Sequence, residues 1–195
     1  MLKSNLDKIF ALIKDGNNLG EPITLVGATK MVAADTINKA IDLGLKVVAE
    51  NKVQEFREKT CFINNADQHF IGHLQTNKAK YLVGKVSLIQ SVDSIKLATE
   101  INRLAINKGI TQNVLVEINV GGELSKSGFD FDNAEKSIKE IVDKCPNVKV
   151  KGLMAMLALV CIVCGMCSIF VCEGVAMGEE PKVELIASFY TYYGE

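Results

Sequence analysis

Two hydrophobic patterns alternate along this chain from residue 2 to about residue 155. Short continuous apolar runs are typical of strands buried on both faces. Between them, apolar residues recur every three or four positions, as on one face of a helix. The apolar runs predict six strands, which end near Thr29, Ala49, Ile71, Gln90, Ile118 and Met154. Regular alternation with short loops predicts parallel βα units, hence an α/β fold that is either a (β/α) barrel or an open doubly wound sheet.

The intervening segments carry recognisable helix signals. Gly44 follows a helical pattern that begins at Ala33, and Asp93 or Ser94 is placed to cap a helix that runs to Gly109. The other predicted helices lie near the N-terminus and at about 53–59, 76–83 and 133–144.

Polar residues gather where the predicted strands end. They are Lys30, Asn51, Gly72 with His73, Ser91 and Asn119. Parallel α/β folds collect their ligands at the carboxyl ends of the strands, so this pattern predicts one shared pocket. The alternative is that strand ends simply need polar residues to begin loops.

Lys30 is the residue on which the first apolar run, Ile23–Thr29, stops. An amine beside a low-dielectric core loses its proton more easily than one in water, and a neutral amine attacks an aldehyde. Lys30 is therefore a candidate covalent anchor for a carbonyl compound, against the alternative of a solvent-exposed strand end. For His69 and His73, the two histidines, a structural hydrogen bond is favoured over proton transfer.

The overall charge argues against two classes of partner. A net charge of -1 and a pI near 6.2 provide no general attraction to nucleic acid or to an anionic membrane. The first residues have a helical stripe interrupted by charges rather than the continuous apolar stretch of a signal peptide, which predicts a cytoplasmic protein.

Several unbroken strings resemble one family. VGATK, AENKVQEF, HFIGHLQTNKAKYLVGKV, SVDS, INVGGELSKSGF and VKGLMAM are similar, in order and spacing, to the pyridoxal-phosphate homeostasis proteins. The resemblance implies a single barrel of the TIM type that binds pyridoxal 5'-phosphate (PLP), like the N-terminal domain of alanine racemase. It further implies that PLP forms a Schiff base with Lys30, and that Asn51 and His69 lie near the cofactor or support its pocket.

The same resemblance implies a carrier or regulator in PLP homeostasis, since no established turnover reaction belongs to the family. We expect PLP as the partner and a monomer or weak dimer. The alternative is a PLP-dependent enzyme of the racemase type. Such an enzyme needs a second acid or base for the substrate proton, and the sequence identifies none.

The chain changes character after about Met156. Residues 1–152 hold 21 of the 22 basic and 18 of the 23 acidic residues, whereas residues 153–195 hold one base and five acids. The two turns that bind the cofactor phosphate in the family, of Gly-Met-Ser and Arg-Ile-Gly type, are not in the sequence. We therefore expect a barrel-like domain at 1–156, incomplete at its C-terminal end, and an atypical tail at 157–195 without the strand and helix alternation that closure needs.

Three interpretations of the tail compete. Leu153–Cys172 is twenty uncharged residues long, which is the length of a membrane span. A membrane-tethered protein is therefore an alternative. Against it, Leu153 and Met154 also complete the sixth predicted strand of a cytosolic barrel, where a membrane span has no role. Cys161, Cys164 and Cys167, followed by Cys172, resemble the spacing of an iron–sulfur or zinc site, but they stand among apolar residues, which argues against metal. The favoured interpretation is a frameshifted, mis-joined or divergent C-terminus.

Overall fold

The computed structural model describes residues 2–17, 20–120 and 127–155, and the backbone of residues 170–173 and 183–188. Its helices are α1 (Leu2–Ile13), α2 (Ala34–Asp42), α3 (Val53–Lys59), α4 (Ile95–Lys108) and α5 (Ala134–Lys144). Its strands are β1 (Ile23–Ala28), β2 (Val47–Glu50), β3 (Asp67–Phe70), β4 (Leu88–Val92), β5 (Gln112–Asn119), β6 (Phe129–Asp130), β7 (Val148–Ala155), β8 (Phe170–Glu173) and β9 (Val183–Ser188).

Local signals determine most of these boundaries. The Ser94 side chain accepts a hydrogen bond from Leu97 N at the start of α4, and Gly109 ends that helix in the left-handed conformation with φ 63°. The predicted helix at 76–83 is instead a 3₁₀ helix, Thr76–Tyr81. Ala79, Leu82 and Val83 present one fully buried side, so the apolar spacing located the helical segment without specifying its 3₁₀ form.

The sheet is mainly parallel, as predicted. Strands β1 to β4 pair in sequence order, β4 also pairs with β5, and β5 pairs with β7. This pairing of β4 with β5 curls the sheet toward a barrel and decides against an open doubly wound sheet. Helices α2 to α5 follow strands in the way that parallel βα units require.

The tail contributes two strands that the sequence analysis missed. Strand β9 pairs in parallel with β1, and β8 pairs antiparallel with both β9 and β7. Backbone pairing thus runs from β7 through β8 and β9 to β1. It covers the edge of β7 and the edge of β1 that would otherwise lack a neighbouring strand. Because β8 is antiparallel, this last part does not repeat the parallel βα unit. The expected gap at the C-terminal end of the barrel is instead bridged by backbone pairing of β8 and β9.

Other predictions about the tail have different outcomes. Of the proposed span, Leu153–Ala155 lies in β7 and residues 170–172 lie in β8, while the remainder falls outside the described residues. No helix within the described ranges is long and apolar enough to cross a membrane. Cys161, Cys164 and Cys167 also lie outside those ranges. The division of the chain at about residue 156 stays a prediction.

Side chains alternate between the inside of the curled sheet and its helix-covered outside. The inner cluster is Val26, Ala28, Val47, Ala49, Ile71, Leu88, Leu115 and Met154. Intervening residues such as Leu25 and Val48 pack outward beneath α1 and α2, and Ile89 and Val116 pack beneath α4. This alternation determines which residue at each strand end follows the inner face.

Candidate functional site

Lys30 and Asn51 come two residues after inward-facing alanines on neighbouring strands. The register pairs Ala28 of β1 with Ala49 of β2, and Thr29 N donates to Ala49 O at 2.9 Å, which continues the pairing beyond the strand end. Lys30 and Asn51 therefore occupy equivalent positions at the carboxyl ends of these strands. Both are half-buried. This is the arrangement that the strand-end pattern predicted.

The chain after β3 passes very close to Asn51. A Cβ atom on Gly72 would lie 1.9 Å from Asn51 O, so no side chain fits there without a backbone shift. Ser91 Oγ donates a 2.6 Å hydrogen bond to Gly72 O from the end of β4. Together these contacts fix the ends of three strands against one another, and they give Gly72 and Ser91 structural roles at this edge.

His69 lies deeper, on the inner face of β3. It is buried, and its register partners are Ala49 and Leu88, both members of the inner cluster. Gln90 Nε2 donates to His69 Nδ1 over 2.9 Å. Burial lowers the pKa of His69 to about 4, only partly opposed by the Asp67 charge, so the ring is neutral at physiological pH. The structure thus places His69 in the barrel wall below the strand ends.

Three other segments meet at His73. Its Nδ1 atom lies 3.1 Å from Asp93 Oδ2 and 3.2 Å from Ser127 Oγ. His73 follows β3, Asp93 follows β4 and Ser127 follows β5. The contacts therefore join the carboxyl ends of these three neighbouring strands. From the sequence, Asp93 was expected only as a helix cap, and no pattern pointed to Ser127.

Glu117 is the carboxylate that the sequence analysis overlooked. It interrupts the apolar run of β5, is buried, and pairs in register with Met154 of the inner cluster. Burial raises its pKa to about 7, reinforced by the Asp93 charge and opposed by His73. A carboxyl group with this pKa exchanges a proton near neutral pH. A single acidic residue at an inward-facing position of a buried strand is the signal that identifies it.

The family model described as alanine racemase, N-terminal domain, matches residues 17–166. A pyridoxal phosphate homeostasis protein of Aquifex aeolicus is 48% identical over 134 residues, which cover 68% of this chain and 58% of that protein. The one from Escherichia coli K12 is 32% identical over 157 residues, which cover 78% of this chain and 67% of that protein. The chain belongs to the pyridoxal phosphate homeostasis protein family. The predicted resemblance is confirmed.

A solved relative shows the same fold. The structure of PipY from Synechococcus elongatus, determined with PLP bound, superposes with a TM-score of 0.69 at 24% identity, covering 83% of this chain and 73% of PipY. The likeness confirms the curled βα sheet of the TIM type. This chain spans 58% of the Aquifex relative and 67% of the Escherichia one.

Proposed function

We propose that this chain is a PLP-binding carrier or regulator in PLP homeostasis, and that it holds the cofactor covalently through Lys30. The observation that carries the proposal is the position of Lys30, which continues the inner face of β1 at the carboxyl end and is matched by Asn51 on β2. Family membership supports it, and so does the PLP in the PipY structure.

The residues at this end of the barrel suit PLP chemically. PLP supplies an aldehyde, with which a lysine amine condenses with loss of water. Asn51, His73 and Ser127 supply amide, imidazole and hydroxyl groups that orient a polar aromatic ring, and Glu117 holds a proton near neutral pH. His69 supports the pocket from below through its hydrogen bond with Gln90.

The proposal also includes a cellular location, an oligomeric state and a partner. The protein acts in the cytoplasm as a monomer or weak dimer and takes PLP rather than nucleic acid as its partner. Because the two phosphate-binding turns of the family are missing from the sequence, we also propose that the cofactor is released on prolonged dialysis.

A titration tests this function. Purified protein should develop the visible imine band on addition of PLP and reach one equivalent. Lys30→Ala should abolish the band, whereas Lys39→Ala, which changes an exposed lysine of α2, should leave it intact. Equal bands in both variants would reject Lys30 as the anchor. An assay of amino-acid racemisation on the same PLP-loaded samples distinguishes a carrier from a racemase-type enzyme.

A further inference from the structure

An ionic cluster lies behind Lys30, on the outer side of the sheet. Lys59, in the last turn of α3, places its Nζ atom 2.9 Å from Glu50 Oε1 and 2.7 Å from Glu55 Oε2. Glu50 ends β2 and is almost completely buried, and Glu55 lies one helical turn before Lys59. We call these three residues the α3 ion cluster.

The α3 ion cluster binds the backbone on both sides of Lys30. Lys59 Nζ donates a 3.0 Å hydrogen bond to Thr29 O, and Met31 N donates a 2.8 Å hydrogen bond to Glu55 Oε2. Thr29 Oγ1 adds a 2.7 Å hydrogen bond to Glu50 Oε1. The carbonyl of Thr29 belongs to the peptide plane before the Lys30 Cα atom, and the amide of Met31 belongs to the plane after it.

Holding both planes has a direct geometric consequence. Peptide groups are planar, so the two planes that flank a Cα atom determine its φ and ψ and the direction of its Cα–Cβ bond. Met31 itself has φ 60°, a left-handed conformation that non-glycine residues rarely adopt without support from their surroundings. The hydrogen bond from Met31 N to Glu55 provides that support, while the Met31 side chain is 76% exposed.

We propose that the α3 ion cluster positions Lys30 for reaction with the cofactor by fixing the peptide planes on either side of it. This inference rests on the proposed role of Lys30. Lys59, Glu50 and Glu55 are positioning residues, since they contact the Lys30 backbone neighbours from the outer side of the sheet.

Glu55 and Lys59 stabilise each other's charged forms. Burial alone would raise the pKa of Glu55, but hydrogen bonds from Lys59 and from Met31 N outweigh it and lower that pKa. Burial alone would lower the pKa of Lys59, but its hydrogen bonds to Glu55 and Glu50 raise it. The ion pair between Glu55 and Lys59 therefore persists throughout the neutral range in which PLP attachment is measured.

The test measures Lys30 reactivity with and without PLP. In the PLP-free chain, brief acetic anhydride labelling and mass spectrometry give the ratio of Lys30 to Lys39 acetylation, so that partial unfolding affects both lysines. We expect Glu55→Ala to change this ratio at least about threefold and to slow PLP attachment at Lys30 about tenfold, because orientation is lost. Glu55→Gln retains an acceptor for Met31 N and should remain within about twofold of wild type.

Controls separate positioning from general destabilisation. Glu58→Ala, on an exposed residue of the same helix, should change neither measurement. Met31→Gly removes the conformational cost at residue 31, so adding Glu55→Ala to it should have a smaller effect than Glu55→Ala alone. If Glu55→Ala does not fold, this background and Lys59→Met provide the comparison.

Two results would overturn the inference. One is a folded Glu55→Ala variant whose acetylation ratio and PLP attachment rate both equal those of wild type. The other is a Glu55→Gln variant as defective as Glu55→Ala, because the acceptor that the glutamine retains for Met31 N would then not hold the peptide plane after Lys30. If wild-type protein attaches no PLP at Lys30, the proposed function fails, while the acetylation ratio still tests the cluster.

Discussion

His69 Nδ1 and Gln90 Nε2 are hydrogen-bonded over 2.9 Å inside the barrel. Protonating His69 would place a second donor opposite the Gln90 amide in a buried position. The lowered pKa, about 4, is mainly the result of burial. This pair connects the inner wall of β3 to that of β4 below the strand ends.

The lowered pKa of His69 predicts that the protein loses stability as the pH falls. Because the folded pKa lies below the ordinary 6.5, the unfolded chain binds more protons between pH 6.5 and 4, and stability falls as pH falls through this range. Between pH 7.5 and 5.0 the unfolding free energy of wild type should drop by about 2 kcal/mol more than that of His69→Gln. Urea unfolding of the PLP-free protein measures it. Wild type and His69→Gln share every other titrating group, so the difference between their pH profiles isolates His69.

Glu117 predicts the opposite pH dependence. Its folded pKa, about 7, lies above the ordinary 4.5, so the folded chain binds more protons between these values and stability falls as pH rises. From pH 5.5 to 8.0 wild type should lose about 2 kcal/mol relative to Glu117→Gln. The same unfolding series, with Glu58→Gln as an exposed control, measures the difference. Parallel curves for wild type and Glu117→Gln would contradict the raised pKa.

Gly72→Ala should destabilise the protein through a steric clash. The added Cβ would lie 1.9 Å from Asn51 O, so the ends of β2 and β3 must separate, at a cost of more than about 2 kcal/mol. Gly109→Ala is the comparison, because its Cβ meets nothing within 4 Å and only the positive φ is unfavourable, which costs about 1 kcal/mol. Thermal melts of both variants measure the order. A Gly72→Ala protein more stable than Gly109→Ala would disprove the close approach.

A proline substitution in β9 tests the pairing of the tail with the sheet. Ile186 pairs with Val26 of β1 and with Phe170 of β8, so β9 is paired on both sides. Ile186→Pro removes an amide donor from a strand with two neighbours and should cost about 3 kcal/mol or more of unfolding free energy. Ile186→Val, which keeps the amide donor, is the control. Equal melting temperatures for wild type and Ile186→Pro would show that β9 does not hold the sheet.

The six parallel strands were predictable because most of them contain a buried apolar run with clear breaks on both sides. Observed ends at Ala28, Glu50, Phe70, Val92, Asn119 and Ala155 lie within two residues of the predicted ones. Once the strands are parallel, their carboxyl ends must share an edge, which is why the positions of Lys30 and Asn51 could be foreseen.

The missed features depend on long-range geometry. Glu117 can be recognised as a site residue only once the curled sheet shows which face of β5 is inside. The α3 ion cluster requires that α3 dock behind β1 and β2, which no local pattern encodes. In the tail, β8 lies at the end of a long uncharged stretch without an internal break, so its boundaries and antiparallel direction arise from pairing with β7 and β9.

The central claim is that Lys30 is the covalent anchor of PLP, and borohydride reduction of the PLP complex tests it most directly. Reduction makes the link permanent, and peptide mapping by mass spectrometry then identifies the modified lysine. We predict one reduced PLP group per chain, on the peptide that contains Lys30, with the other lysines unmodified at stoichiometric PLP. Equal labelling spread over several lysines, or a single adduct elsewhere, would contradict it.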